Sequence, residues 1–273
     1  MSQAQAASAV SAGTPRSAYS VLERRATAAF VGLLVVLAAL AWWSTIGTSR
    51  SMSMMAMGLA QVGSAMAFSI SVPLFLGMWV VMMVAMMFPT IAPVVLLHRM
   101  VVSRRGEGPL LSIAFGAGYL LVWAAVGFIP LIALLAFRSV SMGAAWVAPA
   151  SGAVLVIAGV YQFTRWKETC QKACQSPMTF LMTHDFGRGA AGAARTGWSH
   201  GLYCLGCCWA LMAVLFVVGL MNLAWMAAIA AIFLVEKHWH HGLTLARVVG
   251  AVLIAGGVAV LVHPALLGAL AGS

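Results

Sequence analysis

Charged residues are scarce in this chain of 273 residues: they make up 7% of it, and only five are acidic. Soluble proteins carry about 25% charged residues. This chain is instead 63% hydrophobic, with a mean hydropathy of +1.01. So much apolar surface needs lipid as its solvent, where each segment must satisfy its own backbone hydrogen bonds. We therefore predict an all-α fold, a polytopic transmembrane helical bundle.

The shortage of carboxylates also narrows the range of functions. No apolar run contains a pair of acids, so a conventional ion-coupled carrier is not expected. A phosphate-binding glycine-rich loop is missing too, which excludes an ATP-driven pump for this chain acting alone. The GxSxG and HExxH motifs of hydrolases and metalloproteases are also missing. The net charge of +10 fits basic residues flanking membrane spans, and no basic stripe with interleaved aromatic residues indicates nucleic-acid binding.

Seven apolar runs predict about seven spans, because a helix needs roughly 17–25 residues to cross a bilayer. The runs cover approximately 28–43, 74–97, 110–137, 145–163, 200–218, 221–235 and 248–263. If the N-terminus is cytoplasmic, thirteen of the fifteen Lys and Arg residues fall on the cytoplasmic side, and only Arg50 and Arg138 fall outside. This distribution follows the positive-inside rule and predicts a cytoplasmic N-terminus.

One transmembrane domain is expected over residues 26–264, between a disordered cytoplasmic N-terminus (1–25) and a C-terminal tail (265–273). Within the domain, residues 164–199 are predicted to form a cytoplasmic, cysteine-containing loop, and Ser51–Ser71 an interfacial helix outside the membrane. Pro89 and Pro93 lie inside the second run. Because the ring of Pro89 displaces the carbonyl of Ala85 from its helical hydrogen bond, a kink or break is expected there.

All five cysteines lie between Cys170 and Cys208, at or just inside the predicted cytoplasmic face. That compartment is reducing, which disfavours a structural disulfide and favours a metal or redox site. Cys170 and Cys174 share a face if their segment is helical. The fifth run carries imidazole, thiol and thioether groups within an arc of roughly 140°. These are His200, Cys204, Cys207, Cys208 and Met212.

Soft sulfur ligands with one imidazole favour Cu(I), Zn(II) or an iron–sulfur centre over hard cations. We expect Cu(I) first and zinc second, and the expected role is metal transfer or insertion into a partner, such as a metallochaperone or a membrane complex, rather than catalysis. The primary ligands would be His200, Cys204, Cys207 and Cys208, with Cys170, Cys174 and Met212 supporting or alternative. An outer methionine cluster suits the same cargo: Met52, Met54, Met55 and Met57.

Three other functions remain open. A thiol-redox protein would exchange disulfides between Cys170/Cys174 and Cys204/Cys207. A non-catalytic assembly subunit would use its cysteines only for packing, and a haem protein would use His98 and His200. At the end of the sixth run, Glu236 is expected to be solvated or paired with a neighbouring lysine. The HWHH stretch that follows is either a metal-loading site or a pH-sensitive surface patch.

Several of these motifs together resemble a bacterial family of integral membrane proteins of unknown function, described as predicted metal-binding. The resemblance covers about Gly77 to Gly257, and CLGCCW (Cys204–Trp209) is its most specific part. The other matching segments are Met78–Trp79, Ala85–Pro89 with Pro93, Lys172–Cys174, Ser176–Pro177, Gly197, His200–Gly201, Met221–Asn222 and Glu236–Lys237. The resemblance implies metal binding and a multi-pass location in the bacterial inner membrane. His238, His240 and His241 look like an addition in this chain.

Overall fold

The computed structural model describes residues 28, 32–33, 35–47, 72–137, 146–176, 178, 180, 189–219 and 222–271, and within them the chain forms helices joined by short turns, with no strand. In chain order the helices are α1 (Val35–Gly47), α2 (Val72–Arg104), α3 (Leu110–Val126), α4 (Phe128–Phe137), α5 (Val147–Tyr161), α6 (Arg165–Gln175), α7 (Gly189–Val218), α8 (Leu223–His238), α9 (Gly242–Val262) and α10 (Leu266–Ala271). The predicted all-α class is confirmed.

Among the described residues, four helices are long and apolar enough to cross a membrane: α2, the continuous stretch Leu110–Ala133 that joins α3 to α4, α7 and α9. The helices α5 and α6 would add a fifth span if they count as one, although they are bent by 63° relative to each other. By the same criteria α1 and the 16-residue α8 are too short. The seven-span topology therefore stays a prediction.

The predicted cytoplasmic loop at 164–199 is largely helical where it is described. Thr164 caps α6 by accepting a hydrogen bond from the Lys167 backbone N–H at 3.3 Å. The helix α7 begins at Gly189, well before the apolar run at His200. The predictions for residues 1–25, for Ser51–Ser71 and for the outer methionine cluster lie outside the described residues.

Glycines allow the helices around α7 to pack at backbone distance. A Cβ added to Gly118 of α3 would collide with the backbone of Ala194, and one added to Gly197 of α7 would collide with the backbone of Phe115. The α5–α9 pair has the same close contact at Gly152, Gly159, Gly250 and Gly257. Small residues let helix backbones approach in this way, and Gly118 and Gly197 allow α3 to pack closely on α7.

The helix α2 runs through both of its prolines without a break. Pro89 frees the carbonyl of Ala85, a residue that is fully buried. The indole Nε1–H of Trp42 in α1 donates to this carbonyl oxygen at 3.0 Å. The freed acceptor is therefore satisfied by a neighbouring helix, and this contact docks α1 against α2.

Replacing Trp42 with Phe should destabilise the protein by about 1–3 kcal/mol, since a buried carbonyl then loses its donor. Thermal unfolding in detergent measures the loss. The matched control is Trp43→Phe, because Trp43 is 78% exposed. Equal unfolding temperatures for the two variants would contradict the assigned role of Trp42.

Candidate metal centre

Three cysteines of α7 form a compact buried group. The Sγ atoms of Cys204, Cys207 and Cys208 all lie within 4.8 Å of one another, and none of these residues is more than 2% exposed. Their spacing of i, i+3 and i+4 places them on neighbouring positions of one helix face. This trio is named the thiol group below.

The helix α6 brings a fourth thiol to this group. The Sγ of Cys174 lies 3.8 Å from the Sγ of Cys207, which is itself 3.4 Å from the Sγ of Cys208. Cys170, one turn earlier in α6, packs against the side of α7 at Gly206 and is half-buried. The two cysteine segments, distant in sequence, therefore meet in space.

His200 is buried one turn before Cys204, but it lies outside the compact thiol group. Its ring is enclosed by three aromatic side chains, with centroid distances of 6.2 Å to Phe115, 6.1 Å to Tyr119 and 4.9 Å to Phe180. The structure thus makes His200 a neighbour of the sulfur atoms, and its direct ligation stays a prediction.

Met212 and His98 are two further candidates, and His98 lies outside the compact thiol group. Met212 is buried one turn after Cys208 and lines an apolar cavity of about 530 Å³. His98 is buried, its Nδ1 is 3.4 Å from the Ser112 hydroxyl, and its ring stacks on Phe115 at 4.7 Å. Phe115 is also a neighbour of His200, with 6.2 Å between their ring centroids.

A buried lysine and a tyrosine hydroxyl contact the thiol group directly. The Nζ of Lys237, in α8, donates to the Sγ of Cys204 at 3.1 Å and to the Oγ1 of Thr90 at 3.2 Å. The hydroxyl oxygen of Tyr119 lies 3.1 Å from the same sulfur. A cation at this distance in a poorly solvated site stabilises negative charge on sulfur.

An ion pair lies beside the thiol group and corrects one prediction. Glu236 is 2% exposed, so the expectation of a solvated carboxylate is wrong, and the lysine with which it pairs is Lys167. Its Oε2 accepts from the Nζ of Lys167 in α6 at 2.7 Å, and that ammonium also donates to the Cys207 carbonyl at 2.7 Å. Lys237 follows Glu236 by one residue, about 100° round the helix, and points to Cys204 instead.

Glutamine side chains of α6 complete this arrangement. The Nε2 atoms of Gln171 and Gln175 donate to the Glu236 backbone carbonyl at 3.1 and 2.6 Å. A helical reading of 165–175 puts Lys167, Gln171 and Cys174 on one face, at i, i+4 and i+7. That spacing was available in the sequence, and it is the signal that would have pointed to these residues. We conclude that the centre offers soft sulfur donors next to the ammonium of Lys237. The described contacts give this ammonium no carboxylate partner of its own.

Comparison with known protein families identifies a match over most of the chain. A family model described as PpoB2, copper chaperone, matches residues 76–260, about two thirds of the chain. The match includes the thiol group, Cys174, Lys167 and the Glu236–Lys237 pair. No curated protein and no solved structure matches the chain.

The contact between α6 and α7 can be tested at Gly206. A Cβ added there would lie 2.5 Å from the Sγ of Cys170, so overpacking should leave Gly206→Ala about 1 kcal/mol less stable than a Gly→Ala change at an open helix position. The double variant Gly206→Ala/Cys170→Ala should recover most of that loss, because it removes the clashing sulfur.

Thermal unfolding of Gly206→Ala, Cys170→Ala and the double variant gives a double-mutant cycle. Gly116→Ala is the matched control, since a Cβ at this α3 glycine meets no heavy atom within 4 Å. Additive losses in the double variant would show that Cys170 does not pack on Gly206.

Proposed function

The chain belongs to the PpoB2 copper chaperone family, and on that premise we propose that it is a membrane protein that binds Cu(I) at Cys204, Cys207 and Cys208 and passes the ion to a partner. The observation that carries the proposal is the thiol group itself: three buried sulfur atoms within 4.8 Å of one another. Copper is here the cargo of the protein.

The donor set favours Cu(I) by its softness. Thiolate ligands select Cu(I), zinc and iron–sulfur clusters, whereas hard cations prefer oxygen. Structural zinc sites almost always use four ligands. Cys174 could supply the fourth sulfur, because it lies 3.8 Å from Cys207, so zinc is the second candidate ion. The family membership supports copper over zinc.

The charges around the thiol group suit a monovalent ion held by two thiolates, with the third cysteine remaining a neutral thiol. Such a complex carries one net negative charge, and the ammonium of Lys237, 3.1 Å from Cys204, would neutralise it. The neighbouring Lys167 and Glu236 already balance each other. Since an uncompensated charge in a poorly solvated interior is costly, Lys237 should make the loaded site more stable than the sulfur atoms alone would.

The apolar helices and the apolar side chains on their surfaces support a membrane location. Ile129, Ile132 and Val252 are 63–66% exposed on candidate spans, which suits contact with lipid. We propose the bacterial inner membrane, seven spans and a cytoplasmic N-terminus, with the thiol group near the cytoplasmic side. The positive-inside distribution of lysine and arginine supports this orientation.

This proposal does not make His200, Cys170 or Met212 a primary copper ligand. His200 would stabilise the face of α7 among its aromatic neighbours, and Cys170 packs on Gly206. Cys174 places a further sulfur 3.8 Å from Cys207 and is the candidate to receive or release the ion. The receiving partner would be a metalloprotein or a membrane complex that needs copper.

Replacing Cys204, Cys207 and Cys208 together with Ser should abolish copper binding at the thiol group. Purified protein in detergent, supplied with Cu(I) under reducing conditions, should hold about one equivalent of copper more than the triple variant by mass spectrometry. Cys170→Ser is the matched control and should retain the metal, since Cys170 lies outside the thiol group.

Wild-type protein that stays metal-free under both Cu(I) and Zn(II) would overturn the proposal. The thiol-redox function would then be tested by trapping free thiols in native membranes. Mixed oxidation states of Cys174 and Cys207, whose sulfur atoms are 3.8 Å apart, would support it. Harmless Cys→Ser changes together with a stable co-purifying partner would support the assembly function.

Replacing Lys237 with Met should weaken Cu(I) binding by about 10–100-fold, as loss of groups that support metal ligands commonly does. Competition against a Cu(I) chelator measures the affinity. Lys237→Arg keeps the charge and should recover part of it, which a purely structural role would not predict.

The matched control is Lys172→Met, because Lys172 is a solvent-exposed partner of Glu168 in α6. Unfolding of the metal-free proteins shows whether each variant folds. An Arg variant that binds as weakly as a well-folded Met variant would argue against charge compensation by Lys237.

A further inference from the structure

Two exposed histidines lie side by side in the turn between α8 and α9. The ring centroids of His240 and His241 are 3.9 Å apart, and both side chains are exposed. The Gly242 N–H donates to the Trp239 carbonyl at 2.9 Å and closes the turn. The Trp239 ring flanks both imidazoles, at 5.9 and 5.4 Å. These two residues are named the histidine pair below.

The turn packs directly on the polar contacts beside the thiol group. A Cβ added to Gly242 would collide with the Glu236 carbonyl and lie 2.6 Å from the Nε2 of Gln175. Gln175 donates to that same carbonyl and is the residue after Cys174. The turn that carries the histidine pair and the C-terminal end of α6 therefore both contact the Glu236 backbone carbonyl.

We propose that the histidine pair is a surface docking site for Cu(I), from which the ion passes through Cys174 to the thiol group. Imidazole nitrogen is a good ligand for copper, and metal–nitrogen bonds are about 2.0–2.1 Å long, so neighbouring rings can share one ion. His238 is left out of the pair, because its Nδ1 lies 2.9 Å from the Leu234 carbonyl of its own helix. The relay rests on the proposed function, whereas the docking site does not.

The order of ligands along this path favours inward movement of the ion. Imidazoles lie at the surface, Cys174 is 7% exposed, and the thiol group is at most 2% exposed. Copper remains Cu(I) at every step, so no electron is transferred. Copper–nitrogen bonds break as copper–sulfur bonds form, each thiol that binds loses its proton to water, and the freed imidazoles return to solvent. Because thiolate is the softer ligand, the thiol group is the more stable end of the path.

Titration of the purified full chain with Cu(I), without oxygen and against a competing chelator, tests the docking site. Wild-type protein should bind two equivalents, and His240→Asn/His241→Asn should bind one. The Cys204/Cys207/Cys208→Ser variant should keep the equivalent held by histidine. His263→Asn is the matched control, because His263 is exposed at the other end of α9 and should leave both equivalents in place.

The relay is tested by the rate at which the thiol group fills from a Cu(I)–glutathione donor. The histidine variant should fill on the order of tenfold more slowly, because it loses the high local concentration of a docked ion. Its final affinity at the thiol group should equal that of the wild type, which separates a docking role from damage to the site.

The outcomes separate the two proposals. If the histidine variant keeps two equivalents and fills at the wild-type rate, the histidine pair is overturned while the thiol site stands. If the histidine variant loses an equivalent but the triple cysteine variant loses none, the docking site stands, and both the relay and the proposed copper site are overturned.

Discussion

The ammonium of Lys167 joins the three helices on which the centre depends. It lies on α6, it donates to the Glu236 carboxylate of α8, and it donates to the Cys207 carbonyl of α7, both at 2.7 Å. Because all these groups are buried, each would carry a desolvation cost without the others. This interaction holds α6 against α7, which brings Cys174 to Cys207, and it holds the end of α8, which places Lys237 at Cys204.

The glycines of α3 and α7 allow the sulfur atoms to be buried so deeply. At Gly118 and Gly197 the two backbones meet where no side chain would fit. This close approach places Phe115 and Tyr119 over the face of α7 that carries His200 and Cys204. The aromatic contacts also explain why His200 belongs to the packing around the thiol group, although helical periodicity placed it in line with the cysteines.

Much of the fold could be predicted because it depends on local composition. The apolar runs correspond to helices wherever the chain is described, since continuous hydrophobic segments favour helices in a low-polarity environment. The effect of Pro89 was predictable only in part: a freed carbonyl follows from proline chemistry, but its partner Trp42 lies 43 residues away from Ala85. Pairing of Glu236 with a lysine was expected, but the lysine could not be identified for the same reason, because Lys167 lies 69 residues away and the adjacent Lys237 contacts Cys204 instead.

The sequence by itself determined the helical class and the common face of Cys204, Cys207 and Cys208, because both follow from composition and from the 3.6-residue period of one helix. Only the tertiary structure decided which other groups surround those sulfur atoms. Cys174 and Lys237 are each 33 residues from the cysteine they contact, and they arrive through the packing of α6 and α8 on α7. Contacts between helices depend on the shape and charge of both surfaces, and no local pattern in either segment specifies its partner.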